Sequence, residues 1–481
     1  MAKQPAPTNA LPKSIVNQAW IIVLGAIAPL LDSTMVNIAI NHLARDFNTS
    51  LSTVQWVVTG YLLAMVVAVP FTGWLSQRFG GKRVFLGAEV LFGIMSLFAA
   101  LSWNIDSLIA FRLIQGFSAG LITPLLTTLL VDVAGSGAMG RLMAVVGLPI
   151  MLGPIVGPVI GGLIVQYLSW RWIFFVNVPV VIIATLLIWF KLPITAPKNA
   201  HTKFDWLGVL LLAGMSASIV YGIVQASSKA TFNNSTTIAY VAVGLGLMIV
   251  YGIYAALKKE TAVVPLSLFK KLNFSGSMIG LFLAGVATNG PMLLLPLFFQ
   301  NLRGQSVAMA GLSLLPQGIG MLLARPLVGR LIDSIGARFV TLGGLVITLV
   351  GSIPFIYFDQ FTNYWLLMVV LFIRGIGAGA ITSPLMTDSF VGADRHFSGQ
   401  ISIATRIMQN VGGAFGSAML ATIVVNYQSQ HVHTLTAIAT SYQQGFLWAA
   451  IFTAILAVPA LMLTNKLGKK TTVPAKSVTE R

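Results

Sequence analysis

The stretch Leu31-Asp32-Ser33-Thr34-Met35-Val36-Asn37-Ile38-Ala39 lies inside the apolar run Ala19–Ile40. A run of that length spans a bilayer as a helix. A carboxylate held at such depth is costly even on lenient insertion scales, so an intramembrane acid points to use. The simplest use for Asp32 is to bind and release a proton. Working outward, similar runs recur along the whole chain, and the composition agrees: 56% of residues are hydrophobic and 9% charged, where a soluble domain carries roughly 25% charged residues. Lipid offers no hydrogen bonds to the backbone, and the runs are too long for strands, so the spans are helices. The fold class read here is an all-α polytopic membrane protein.

Fourteen spans are expected, the first at 16–40 and the last at 443–465. With the N-terminus placed in the cytoplasm, only Arg45, Arg171, Lys229 and Arg303 fall in loops on the outer side, and Arg112, Arg325, Arg374 and Arg406 fall within spans. The rest of the 29 basic residues lie on the cytoplasmic side. This asymmetry predicts two cytoplasmic termini and an even span count. It also assigns the net charge of +17 to a membrane surface rather than to nucleic acid. Residues 1–15 read as a polar cytoplasmic tail without a cleavable signal peptide, and 466–481 as a basic cytoplasmic tail. No cysteine is present, which excludes disulfides and thiol chemistry.

The two halves of the chain repeat each other. Gly73-x-Leu75-x-Gln77-x-x-Gly80-x-x-Arg83 is echoed by Gly329-x-Leu331-x-Asp333-x-x-Gly336-x-Arg338, and Pro70 by Pro326. Gln115-Gly116-Phe117-Ser118-Ala119-Gly120 is echoed by Arg374-Gly375-Ile376-Gly377-Ala378-Gly379, and Asp132 and Asp388 close the two spans. Matched order and spacing at an offset of roughly 256–259 residues imply a transporter built from two repeats, with its site at the midplane between them. The expected organisation is two pseudo-symmetric six-helix bundles, 16–192 and 273–465, joined by a linker at 193–272 that holds two extra helices of padding or sealing role.

These motifs resemble the major facilitator superfamily, and more narrowly its fourteen-span drug:proton antiporter branch of the EmrB/QacA type. The resemblance rests on Leu31–Ala39, the Gly73–Arg83 loop, Arg112-x-x-Gln115-Gly116, the glycine and proline pattern of span five, and Trp170-Arg171-Trp172-Ile173-Phe174-Phe175-Val176-Asn177-Val178-Pro179. It departs at Gln77, where the loop motif usually carries an Asp. The resemblance implies the major facilitator fold and a proton-coupled multidrug efflux antiporter of a bacterial plasma membrane. Such a protein exports lipophilic, often cationic compounds and needs no cofactor beyond the proton gradient. Membrane lipids, lipophilic small molecules and protons are its expected partners, and a monomer its expected state.

The proton-coupling candidates are Asp32, Arg112 and Glu89. Asp32 lies about 12 Å and Arg112 about 10 Å from the outer face at 1.5 Å per residue. Matched depth invites pairing, which favours the carboxylate while burial favours the acid. The position equivalent to Asp32 in the second half is Asn289, which cannot titrate. Glu89 is the other acid well within a span, and snorkelling or pairing near the cytoplasmic face is the favoured reading for it. In span five, Gly153, Pro154, Gly157, Pro158, Gly161 and Gly162 give a smooth, bent helix. The resemblance associates this antiporter motif with export, and Gly412-Gly413-Ala414-Phe415-Gly416 offers a facing smooth surface. Gly73, Gln77, Arg78, Gly80, Arg83, Asp132, Asp333, Arg338 and Asp388 are candidate gating residues, with Arg83–Asp132 and Arg338–Asp388 as expected ion pairs. The substrate-binding candidates are Trp56, Tyr61, Gln115, Phe282, Asn289, Met292, Gln317, Gln409 and Asn410, whose methionine and aromatic faces suit varied lipophilic ligands. Arg374 and Arg406 could draw in anions.

One proton entering across 100 mV and one pH unit supports about a 500-fold gradient of a neutral substrate, and no nucleotide-binding loop is present. An exporter or flippase of an endogenous lipid or metabolite would share all these features. An uptake symporter is disfavoured by span five. A membrane enzyme lacks any Ser/His/Asp set, paired carboxylates or metal cluster. His431 and His433 read as solvated, and no metal site is expected.

Overall fold

The computed structural model describes residues 12–134, 156–193, 205–229, 231–394, 397–431 and 434–465. Its helices are α1 Lys13–Asp46, α2 Leu51–Phe79, α3 Gly81–Ala100, α4 Ile105–Ala134, α5 Val156–Tyr167, α6 Trp172–Lys191, α7 Trp206–Ser228, α8 Ser235–Lys258, α9 Leu272–Leu297, α10 Val307–Ile332, α11 Ala337–Ser352, α12 Tyr364–Ser389, α13 Ser398–Gln430 and α14 Leu435–Ile455. All but α5 are long and apolar enough to cross a membrane, and no strand occurs among the described residues. The first part of the expected fifth span lies outside them.

Helix ends follow local chemistry. Ser50, Asn234, Ser306, Asn363 and Thr434 cap α2, α8, α10, α12 and α14 by accepting backbone N–H groups, which satisfies donors a helix start leaves open. Gly80 (φ 86°) and Gly336 (φ 89°) turn α2 into α3 and α10 into α11, a backbone conformation that glycine adopts without steric cost.

The sequence repeat is a packing repeat. α4 lies on α2 and α3, and α12 lies on α10 and α11. A Cβ on Gly116 would stand 2.2 Å from the Tyr61 carbonyl oxygen, and one on Gly375 would stand 2.0 Å from that of Gln317. α5 closes on α1 through Gly157 and Gly161, which meet Thr34 and Met35, and α13 closes on α9 through Gly412 and Gly416, which meet Phe282 and Val286. The two smooth stripes therefore do not face each other as expected. Gly157, Gly161, Gly412 and Gly416 are each used within their own bundle, where backbones come closest.

Among the described residues the bundles touch toward both ends of the molecule. At the end of the molecule away from the N-terminus, Gly162 meets Val307, Gly311 meets the Pro158 carbonyl, and Gln166 accepts the Ala308 N–H at 3.2 Å. At the N-terminal end, Gly73 of α2 meets Ile403 of α13. α7 lies along both α2 and α13, and α8 packs behind it on α7.

Because Gly116 and Gly375 have no room for a methyl group, Gly116→Ala and Gly375→Ala are each expected to destabilise the purified protein by about 1–3 kcal/mol, the usual cost of overpacking. Gly87→Ala, where a Cβ meets nothing within 4 Å, is expected to be neutral or slightly stabilising. Thermal melting followed by intrinsic fluorescence checks this, and equal midpoints for all three would contradict the packing.

Candidate functional site

Asp32 of α1 and Arg112 of α4 form a buried ion pair, with side chains 0% and 1% exposed. The pair sits in a closed polar network. Arg112 Nη1 also donates to Gln115 Oε1 at 2.9 Å, and Nε donates to the Val57 carbonyl at 3.1 Å. Its guanidinium lies 4.0 Å from the centroid of the Tyr61 ring and 5.6 Å from that of Phe174. The other oxygen of Asp32 accepts from Asn177 Nδ2 at 3.1 Å, which also reaches Ser96 Oγ at 3.0 Å. Gln115 Nε2 donates to Ser96 at 3.1 Å, and Ser96 donates to the Phe174 carbonyl at 3.1 Å.

Four helices thus converge on one carboxylate. α1 brings Asp32, α3 Ser96, α4 Arg112 and Gln115, and α6 Asn177. Ser96 and Asn177 were missing from the candidates read from sequence. The signal was present, since Asn177 is an amide within the apolar stretch Trp172–Pro179. The arrangement can tolerate two charge states. With Asp32 ionised, Arg112 compensates it. With Asp32 protonated, the guanidinium keeps two neutral acceptors and an aromatic face, so it is not stranded in a low-dielectric setting.

Glu89 stands apart from this network. It is 0% exposed, and neither carboxylate oxygen has a partner among the described residues. It shares a face of α3 with Ser96, two turns nearer the N-terminal end. Gly93 meets Val181, and Gly25 meets both Phe85 and Ile188, which brings Glu89 level with Thr185, whose hydroxyl is also without a partner. Glu89 therefore does not snorkel to the surface.

Several expected substrate contacts have other occupations. Tyr61 is buried beneath Arg112 and donates to the Pro29 carbonyl at 3.3 Å. Gln115 belongs to the Asp32 network. Gln317 accepts from Arg374 Nη1 at 2.9 Å. Trp56 rests on Tyr221 of α7, and Phe282 on Phe415. Met292, Gln409 and Asn410 are half-buried and Asn289 is exposed.

The expected gating ion pairs do not form among the described residues. Arg83 is exposed and unpaired, separate from Asp132. Arg338 donates to the Leu463 carbonyl at 3.0 Å, and Asp388 accepts from the Thr464 N–H at 3.1 Å and from its hydroxyl. Both grip the chain after α14 instead of each other, because that segment offers both a carbonyl and donors close at hand. Gln77 and Arg78 are exposed, and Arg78 packs over Trp74 and Phe79. Lys82, by contrast, is buried and donates to the Trp189 and Leu192 carbonyls, so it closes the end of α6, where a cation is favoured. Gly157, Pro158, Gly161 and Gly162 lie in α5. Gly153, Pro154 and the Asp333 side chain lie outside the described residues, which contain no cluster able to hold a metal.

Comparison with known proteins agrees with this architecture. Residues 22–417 match the Major Facilitator Superfamily. The chain is 31% identical over 425 residues to the multidrug resistance protein B homolog of Mycobacterium tuberculosis, covering 88% of this chain and 78% of that one. It is 29% identical over 414 residues to the multidrug export protein EmrB of Haemophilus influenzae, covering 86% and 81%. Among solved structures, a D-xylose-proton symporter superposes with a TM-score of 0.65 at 17% identity, covering 94% of this chain and 99% of that one, a likeness of fold. The helix repeat, the paired bundles and the family match lead to one conclusion: this chain belongs to the major facilitator superfamily, a family of membrane transporters.

Proposed function

We propose that this protein is a proton-driven exporter of lipophilic, often cationic compounds in a bacterial plasma membrane, with both termini in the cytoplasm, working as a monomer by alternating access of its two six-helix bundles. The single observation that carries the reading is the Asp32–Arg112 pair, a titratable group buried at mid-bundle beside an arginine that keeps neutral acceptors of its own when the acid is protonated. The names of the relatives, a multidrug resistance protein and a multidrug export protein, support the substrate class. In this scheme Asp32 carries the proton inward and releases it when substrate binds from the cytoplasmic side. Glu89 is the next proton station, two turns or about 10 Å along α3 from Ser96. No cofactor is required. For a monovalent cation exchanged one for one, the membrane potential cancels, and each pH unit sustains about a tenfold substrate gradient.

The decisive experiment is to add ethidium to purified protein in weakly buffered detergent and follow proton release. Release is expected from wild type and not from Asp32→Asn; release from both would remove Asp32 from the coupling step. Glu89→Gln is expected to keep this release yet slow ethidium-driven proton flux several-fold in liposomes, and unchanged flux would exclude the relay. Arg112→Ala leaves a buried carboxylate uncompensated and is expected to cost about 3–5 kcal/mol of stability. The double variant Asp32→Asn/Arg112→Ala should recover most of that in a melting experiment, a coupling that two independent sites would not show.

A further inference from the structure

The spans of the second bundle hold Arg325, Arg374 and Arg406 and no acid; its acids, Asp333, Asp359, Asp388 and Asp394, all lie at helix ends or in loops. Arg374 is 3% exposed, and its guanidinium is held by neutral groups: Ser352 Oγ at 3.2 Å, Gln317 Oε1 at 2.9 Å and the Ala287 carbonyl at 2.9 Å. Arg406 is different. It lies two turns into α13, half-buried, and makes no hydrogen bond or ion pair among the described residues. Gln409 and Asn410, one turn further on, are also half-buried and make no hydrogen bonds there.

Position explains why these groups lack partners. Arg406, Asn410, Gly413 and Ser417 recur at spacings of three and four residues and so form one strip of α13. Gly413 abuts the Asn289 side chain of α9, and Ser417 donates to the Asn289 carbonyl. Asn289 is exposed although it lies well within its helix. On the other side of the strip, Ile403 touches Gly73 of the first bundle. The strip therefore runs between the part of α13 that meets α9 and the part that meets α2, along the seam between the bundles. A cation at membrane depth without a counter-charge is costly, and a guanidinium presents a fork of donors suited to a carboxylate, sulfonate or phosphate.

We infer that Arg406, with Asn410 one turn along the same strip, is an anion subsite of the transport pathway, so that the substrate class includes amphiphiles with an apolar body and one oxyanion group. This deepens the export reading above and rests on it. The first bundle then handles the proton at Asp32, and the second handles the charge of the substrate. An exported monoanion exchanged for an entering proton moves two charges in the same electrical sense, so the potential that cancels for a cation acts twice here. The anionic group could come from an organic acid in water or from a lipid headgroup, and the chemistry of recognition is the same.

The test uses the full chain in phosphatidylcholine nanodiscs, with radiolabelled taurocholate as the lipophilic sulfonate and tetraphenylphosphonium as the cation. Arg406→Ala is expected to weaken taurocholate by about tenfold or more, the scale of one charge-assisted hydrogen bond, to leave tetraphenylphosphonium within about twofold, and to keep its proton release. Arg406→Lys should fall between. Asn410→Asp, which sets an acid beside Arg406, should weaken taurocholate as Arg406→Ala does and serves for that readout if Arg406→Ala melts early. Taurocholate binding that ignores all three variants, or that is absent from wild type, would overturn the inference. If tetraphenylphosphonium still releases protons in that case, the export reading survives alone; if neither probe releases protons, both fall. Adding phosphatidylglycerol separates the sources: suppression of taurocholate binding that depends on Arg406 assigns a headgroup, and no suppression assigns an organic acid from water.

Discussion

A carboxylate buried in a bilayer-spanning bundle must find every partner it needs from protein, because lipid supplies none. Asp32 makes that demand, and the first bundle is arranged to meet it. Arg112 supplies charge, Asn177 a second donor, and Ser96 and Gln115 tie those donors together. The positions of α3, α4 and α6 around α1 follow from the need to bring those side chains to one point. The small residues beside them do the rest. Gly157 lets α5 press against Leu31 and Thr34, which flank Asp32 in α1.

The two bundles share a frame and differ in charge. Gly116 on Tyr61 and Gly375 on Gln317 are the same contact built twice. In the first bundle the residue before the glycine is Gln115, which helps hold an arginine whose partner is an acid. In the second it is Arg374, held by neutral groups alone. Backbone packing constrains both copies equally, so the fold is repeated. The polar interior is free to diverge, because each polar group needs only some partner of the right kind. The proton chemistry proposed above can therefore sit in one half without disturbing the symmetry of the whole.

Much of this was legible in the sequence for a physical reason. Span length and glycine spacing are local properties, and they led to the helices and the repeat. The matched depths of Asp32 and Arg112 also follow from local rise per residue. What could not be read was partner choice among several nearby groups. Arg338 and Asp388 are opposite charges at the ends of adjacent helices, yet both bind the Leu463–Thr464 segment, which no pairing rule would select. Tyr61 and Gln317 read as cavity residues because they are polar and within spans; both support arginines instead. Polarity within a span marks a residue with a task, and only the packing distinguishes a ligand contact from a brace.

The two extra helices show the same distinction between contacts that hold and contacts that slide. Toward α13, the segment following α8 is hydrogen-bonded: Gln400 donates to the Glu260 and Ala262 carbonyls, each at 3.1 Å. Toward α2, α7 offers aliphatic side chains around Val66 and Val69 and the ring contact of Tyr221 with Trp56, with no hydrogen bond among the described residues. In lipid an apolar contact between helices exchanges for an apolar contact with acyl chains at little cost, whereas a lost hydrogen bond has no replacement. In the alternating access proposed above, the hairpin then travels with the second bundle and glides over α2. It covers the α2–α13 seam in each position without fixing the bundles to one another, a role for which an apolar inner face and a lipid-exposed α8 are the fitting surfaces.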